Sequence, residues 1–211
     1  LHRVDRRQRQ MCIRDRAHMV GHPAYSFYVY QQVYDVNGDP IEGQFVDRNG
    51  DGQITEADKY IYHSRDPKVV FTWNNTFNYK NWDFGMVLRA NIGNWVYNDF
   101  EAANTSISST SSAPLSNLMS NRFLFNDLGV RGVQSDYFVR NASFLRCDNI
   151  TIGYTWPNLL NDALRLRLYG AVQNPFVITK YNGLDPEVFG GIDNAVYPRP
   201  VTVSFGIVAQ F

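Results

Sequence analysis

No stretch of this 211-residue chain approaches the ~18–20 consecutive apolar residues of a membrane-crossing helix. That excludes helical spans only, because a membrane-crossing strand alternates apolar and polar residues and escapes hydropathy windows. Net charge is lacking too. Lys and Arg total 20 against 20 Asp and Glu, which gives no electrostatic reason to expect nucleic acid. Two cysteines, Cys12 and Cys147, are too few for a disulfide framework. No Ser/His/Asp order, nucleophile elbow or phosphate-cradling glycine loop is present, and His18, His22 and His63 lack zinc-site spacing. The chain is therefore read as a non-enzyme. What it has in quantity is aromatics, 15% of residues with 13 Tyr and 14 Phe, a bias towards β structure.

The first sixteen residues, LHRVDRRQRQMCIRDR, differ in character from the rest of the chain. They read either as a disordered basic arm or, from the likeness of MCIRDR to a translated library adaptor, as a non-native scar. The second reading is preferred, so residues 1–16 are left out of the fold. Without their six arginines and two aspartates, 14 basic and 18 acidic residues remain, a net charge of −4. On this reading the protein proper, 17–211, lacks its N-terminal part.

From Val69 the pattern becomes period two. Val69, Phe71, Trp73, Phe77 and Tyr79 share one face, with Thr72, Asn74, Thr76 and Asn78 opposite. After a tight turn at Lys80–Asn81, Trp82, Phe84, Met86, Leu88, Ala90 and Ile92 continue as a second strand. Alternation returns in DNITIGYTW, in LRLRLYGAV and in VTVSFGIVAQF. Strands are expected near 69–79, 82–97, 143–156, 163–174 and 200–211, consecutive ones antiparallel neighbours. The connections alternate short (80–81, 157–162) and long (98–141, 175–200), as in outer-membrane barrels. Aromatics gather at strand ends, as an interfacial girdle requires. The fold class is an all-β, antiparallel transmembrane barrel segment with long extracellular loops and short periplasmic turns. Phe84, Leu88, Ile152, Leu166 and Phe205 are assigned to lipid, and Arg89, Arg165 and Arg167 to the lumen.

One loop has a metal-binding pattern. In VDRNGDGQITEADK, a calcium loop's ligand positions fall on Asp47, Asn49, Asp51, Gln53 (through its carbonyl), Thr55 and Asp58, with Gly52 at the sharp turn. Flanking helices are not evident. The reading is a structural Ca2+ site of modest affinity, set against an Asx-rich turn that binds nothing. Among other loop residues, Tyr181, Phe189 and Tyr197 are candidates for sugar stacking or contact with a partner, with self-packing of the loop as the plainer role.

Several motifs together carry a family resemblance. VGHPAYSFYVYQQVYD, FVDRNGDGQITEADK, YKNWDFGMVLRANIGNWVYN, NASFLRCDNITIGYTW, QNPFVITKYNGLDPEV and YPRPVTVSFGIVAQF resemble the C-terminal part of the SusC/RagA family, TonB-linked outer-membrane transporters of Bacteroidetes. The likeness runs from about Val20 to Phe211, with Cys147 where an aliphatic residue is expected. It implies about five or six strands of a 22-stranded barrel with an N-terminal plug, set in outer-membrane lipid. It also implies a SusD-type lipoprotein lid, TonB contact through the missing N-terminal part, and import of a glycan or peptide substrate. The calcium-type loop would then lie on the extracellular side. A passive porin or adhesin barrel, and a soluble calcium-stabilised carbohydrate-binding sandwich, are the alternatives.

Overall fold

The computed structural model describes residues 16–17, 19, 21–103, 134–159, 164–194 and 197–210. Along the chain run β1 (Arg16–Ala17), β2 (Ser26–Val29), β3 (Gln32–Tyr34), β4 (Pro40–Phe45), β5 (Tyr60–Ser64), β6 (Val69–Tyr79) and β7 (Trp82–Ile92). After them come β8 (Trp95–Tyr97), α1 (Asp99–Ala103), β9 (Val139–Asn141), β10 (Phe144–Leu159), β11 (Leu164–Thr179) and β12 (Thr202–Gln210). These elements form two compact units whose segments alternate in the sequence. A sheet unit takes Lys68–Gly93, Ser143–Lys180 and Pro198–Phe211, and a loop unit takes the rest up to Tyr197.

The sheet unit is a single antiparallel sheet in the order β12-β11-β10-β7-β6. Each neighbour in the predicted chain order is a neighbour in space. The β6–β7 hairpin closes in two residues because Lys80 takes φ 52°, so Tyr79 pairs directly with Trp82. Among the described residues β6 pairs only with β7 and β12 only with β11, leaving an open sheet with two edges.

Three expected boundaries need correction. The strand expected over 82–97 is two strands. Gly93, at φ 81°, ends β7, and β8 pairs instead with β9 in the loop unit. A side chain at Gly93 would also press on the Lys68 stem. The expected break after Trp156 is strand as far as Leu159, with a register irregularity between Trp156 and Leu159 that accommodates Pro157. The loop expected from 175 begins only after Thr179. Asn174 takes φ 51°, and the register skips between Cys147 and Asn149 opposite it, so the pairing bulges and continues past Pro175. The adaptor-like segment 1–15 and the Ser/Thr-rich stretch 104–116 lie outside the described residues, and Arg16 pairs with Phe27.

The loop unit has a conventional core. Phe27, Val29, Tyr97, Ala102, Tyr137, Phe138 and Val139 are buried together, from β2, β8, α1, β9 and the turn before it. A smaller cluster joins Val96, Ala142 and Tyr181. Long-range polar contacts fix this packing. Tyr30 N–H donates to Gln134 O at 2.9 Å, and Asp136 N–H donates back to Tyr30 O at 2.9 Å. Asp136 accepts from Tyr60 Oη at 2.7 Å and from the Gln32 amide at 3.0 Å.

Candidate functional site: a two-faced sheet and an acidic loop

Directly paired residues in a sheet lie on the same face, so the register tests the predicted faces. Phe84 pairs with Ile152, Ile152 with Gly170, and Gly170 with Phe205, one ribbon across four strands. Leu166 pairs with Trp156 and Ala209 two steps along. The five residues assigned to lipid thus share a face with Trp73 and Phe77, and much of that face is bare: Phe205 is 86% exposed and Ile207 71%. Arg89, Arg165 and Arg167 fall on the opposite face, as the alternation predicts.

That opposite face is polar and tied together by charge. Asp83 of β7 reaches across β10 to Arg167 of β11, with Nε–Oδ1 3.0 Å, in a two-pronged pair. Gly153 lies beneath it, and any side chain there would strike both partners. Arg89 grips Asp148 with two bonds of 2.9 and 3.1 Å. Tyr169 lies over Gly206, whose missing side chain leaves room for the ring. The pairings could not be read from one strand at a time. They depend on which residues the register sets side by side.

In the loop Asp47 to Asp58, hydrogen bonds within the loop use most of the predicted ligand side chains. Asp47 accepts from the Gly50 and Gly52 amides at 2.7 and 2.8 Å, both glycines at φ 76°. Asn49 Oδ1 accepts from the Asp51 amide at 2.9 Å, and Asn49 Nδ2 donates to Asp51 Oδ2 at 2.9 Å. Asp51 also accepts from the Gln53 amide at 2.8 Å. Asp58 is fully buried and accepts from the amides of Arg48 at 3.0 Å, Asn49 at 3.3 Å and Thr55 at 2.7 Å. The Thr55 amide in particular holds its carboxyl below the usual carboxylate range. Thr55 and Asp58 form a capping box on the 3-10 turn Glu56–Asp58. Among the described residues no three His, Cys, Asp or Glu side chains gather as a metal site. The donor set therefore meets a cation's needs only in part: the Asp58 side chain faces the loop's own amides.

The loop aromatics separate. Tyr181 is buried and donates to Asp193 at 2.8 Å, so it packs within its own loop. Phe189 and Tyr197 are fully or almost fully exposed. His63 stacks on Trp95 with ring centroids 3.7 Å apart, and His22 is exposed; His18 lies outside the described residues.

No family model matches the chain. Its relatives are more informative. The TonB-dependent receptor SusC of Bacteroides thetaiotaomicron is 49% identical over 208 aligned residues, which cover 92% of this chain. The chain belongs to the SusC/RagA family of TonB-dependent receptors. It spans 20% of the length of SusC. A TonB-dependent receptor of Formosa agariphila is 27% identical, over 83% of this chain and 19% of its own length. The RagAB peptide transporter superposes with a TM-score of 0.68, over 95% of this chain and 24% of that one, at 20% identity. That likeness speaks for the fold. SusC/RagA receptors are outer-membrane proteins and not enzymes, and the open five-stranded sheet is a segment of their transmembrane β-structure.

Proposed function

We propose that this chain is part of an outer-membrane TonB-dependent importer of glycans or peptides that works with a SusD-type surface lipoprotein. One observation carries the reading. Five strands in register present a bare apolar face on one side and ion-paired polar groups on the other, the arrangement needed between lipid and a wet lumen. The names of the relatives, a TonB-dependent receptor and a peptide transporter, supply the class of activity. Lipid contact falls to the face of Phe84, Ile152 and Phe205. Energy relayed through TonB enters through residues outside this chain. The two edges, β6 and β12, call for further strands, because lipid offers no partner to an unpaired backbone. The test is uptake by cells carrying the full-length receptor and its lipoprotein, with a panel of labelled oligosaccharides and peptides. Uptake of at least one class that vanishes on deleting TonB is expected. Passage that persists without TonB would mean a passive pore.

The acidic loop supports a second, smaller proposal, a weak structural Ca2+ site. The observation behind it is that Asp47 and Asp51, with Asn49 between them, remain outside the buried core while two left-handed glycines close the turn. Extracellular sites of this kind work at ~10⁻⁴–10⁻³ M. Calcium titrated into the full-length receptor should give binding heat that Asp47→Ala/Asp51→Ala abolishes. Equal heats would leave the loop as a self-sufficient Asx turn.

A further inference from the structure

At the end of the sheet that carries the β6–β7 turn, the apolar face changes character. Tyr79 pairs with Trp82, and Trp82 with Tyr154, so three aromatic residues form one row across β6, β7 and β10. Trp156 stands two residues on from Tyr154, on the same face. Neighbouring rings meet edge-on, with centroids 4.9 Å apart for Trp82 and Tyr154 and 4.5 Å for Tyr154 and Trp156. Lys80, in the turn, places Nζ 5.5 Å from the centroid of the Tyr79 ring. At the opposite end of this face the exposed side chains include Val69, Ile92, Ile178 and Val203, which have nothing to donate.

What the turn end offers is donors without acceptors. The Tyr79 hydroxyl and the indole N–H groups of Trp82 and Trp156 meet no acceptor among the described residues. Tyr154 Oη already accepts from Asn81 Nδ2 at 3.3 Å, which leaves the hydroxyl's own proton to be given elsewhere. Asn81 is itself fixed, because its carbonyl accepts from the Thr155 amide at 2.8 Å. Lys80 is exposed and pairs with no carboxylate among the described residues. Asp83, the nearest acid in sequence, is held by Arg167 on the other face. Tyr79 and Trp82 are 57% and 51% exposed, so the row is open to a ligand. A cation and several donors set on an apolar surface fit an oxygen-rich anion that is attached to hydrocarbon. We propose that this rim binds the phosphate group of a membrane glycerophospholipid. Lys80 takes its charge, Trp82 and Tyr154 donate to its oxygens, and the acyl chains lie over Phe84 and Ile152. Short turns of outer-membrane barrels face the periplasm, so the lipid belongs to the periplasmic leaflet. The site rests on membership of an outer-membrane family and not on what the receptor imports.

The experiment uses purified, delipidated full-length receptor in detergent and a phosphatidylglycerol that carries a diazirine beside its glycerol ester. Light-driven labelling of the peptides that hold Trp82 and Tyr154, read by mass spectrometry, reports occupancy. Unlabelled phosphatidylglycerol should compete, whereas diacylglycerol with the same chains and inorganic phosphate should not. Lys80→Gln should raise the lipid concentration for half-labelling about tenfold, the scale of one charge-assisted hydrogen bond, and Lys80→Arg should leave it near the starting value. Tyr154→Phe, which keeps the ring contacts, should raise it about threefold. The heat-dependent gel shift of the folded barrel should be unchanged in all three, since Lys80 is exposed and the Tyr154 ring is retained. Half-labelling that Lys80→Gln leaves unmoved, or diacylglycerol competing as well as phosphatidylglycerol, would overturn the site. TonB-independent passage of every compound would remove the import reading and leave this site standing.

Discussion

The same residue types occupy opposite environments in the two units. In the loop unit Phe27 and Phe138 have no exposed surface and pack with Val29 and Tyr97. In the sheet unit Phe205 stands 86% bare, and Phe71, Phe77 and Trp73 are exposed along the same face. Charge is reversed as well. The loop unit encloses Asp58 and Asp136 among hydrogen-bond donors, while the sheet keeps Asp83–Arg167 and Arg89–Asp148 on a half-open face. The loop unit folds by excluding water from its interior. The sheet excludes nothing by itself, since its apolar face is left bare by its own strands. Side-chain hydrophobicity therefore does not say where a residue points until the solvent on each side is known.

The contrast can be broken from either side. Phe138→Ala removes a ring from the buried cluster and should destabilise the loop unit by ~3–5 kcal/mol. In the full-length receptor this should appear as rapid proteolysis within 94–142, with the barrel's heat-dependent gel shift unchanged. Loss of both together would mean that the units do not fold separately. Leu166→Arg should do the reverse, at ~2–4 kcal/mol for a charge near the membrane midplane. It should reduce assembled receptor in the outer membrane far more than Arg167→Leu, and equal losses would reject the assigned faces.

Smaller effects sharpen the comparison within the sheet. Gly206→Ala pushes a methyl group into the Tyr169 ring and should cost ~1–3 kcal/mol by overpacking. Gly170→Ala meets the Phe205 ring at an ordinary 3.5 Å and should be nearly neutral. Denaturant midpoints of the two variants in detergent would decide it.

The two enclosed carboxylates should respond to pH with opposite signs. Asp58 titrates below its usual 3.8, so its contribution is present above that value and is lost as pH falls through and below it. Burial raises Asp136 despite its hydrogen bonds, so its ionisation weakens the fold as pH climbs above 3.8. Tyr60, whose hydroxyl is also raised by burial and by Asp136, stabilises up to pH 10 and loses that contribution above it. Hydrogen exchange, corrected for intrinsic rates, should show the peptide over 48–55 deprotected by acid while the peptide over 134–139 is not. Parallel behaviour would contradict these assignments.

How much of this was legible depends on the range of the contacts. β6 and the start of β7 were readable to the residue because alternation and a two-residue turn are local signals, whereas the end of β7 before Gly93 was read through to residue 97. The extensions of β10 and β11 were hidden because Pro157 and Asn174–Pro175 look like breakers until the partner strand supplies an irregularity to absorb them. The packing of the loop unit was not readable. Its ties, such as the Gln32 amide to Asp136, join residues about a hundred positions apart and leave no periodic trace. In the acidic loop the ligand spacing was visible and the inward turn of Asp58 was missed. The Thr55-x-x-Asp58 pattern was the available signal, because a capping box commits that carboxylate to the backbone.

The alternation of the two units along the chain has a consequence for inheritance. The loop unit is assembled from residues up to Pro67, from Asn94–Ala142 and from Tyr181–Tyr197, with sheet strands between them. A recombination that exchanged one of these segments with a relative would bring in core residues shaped for other neighbours, parting Phe27 from Phe138. To transfer a working loop unit, a crossover must carry all three segments, and the strands between them travel along. Exchange between genes of this family should therefore come as blocks of more than a hundred codons, and single-loop grafts should be selected against.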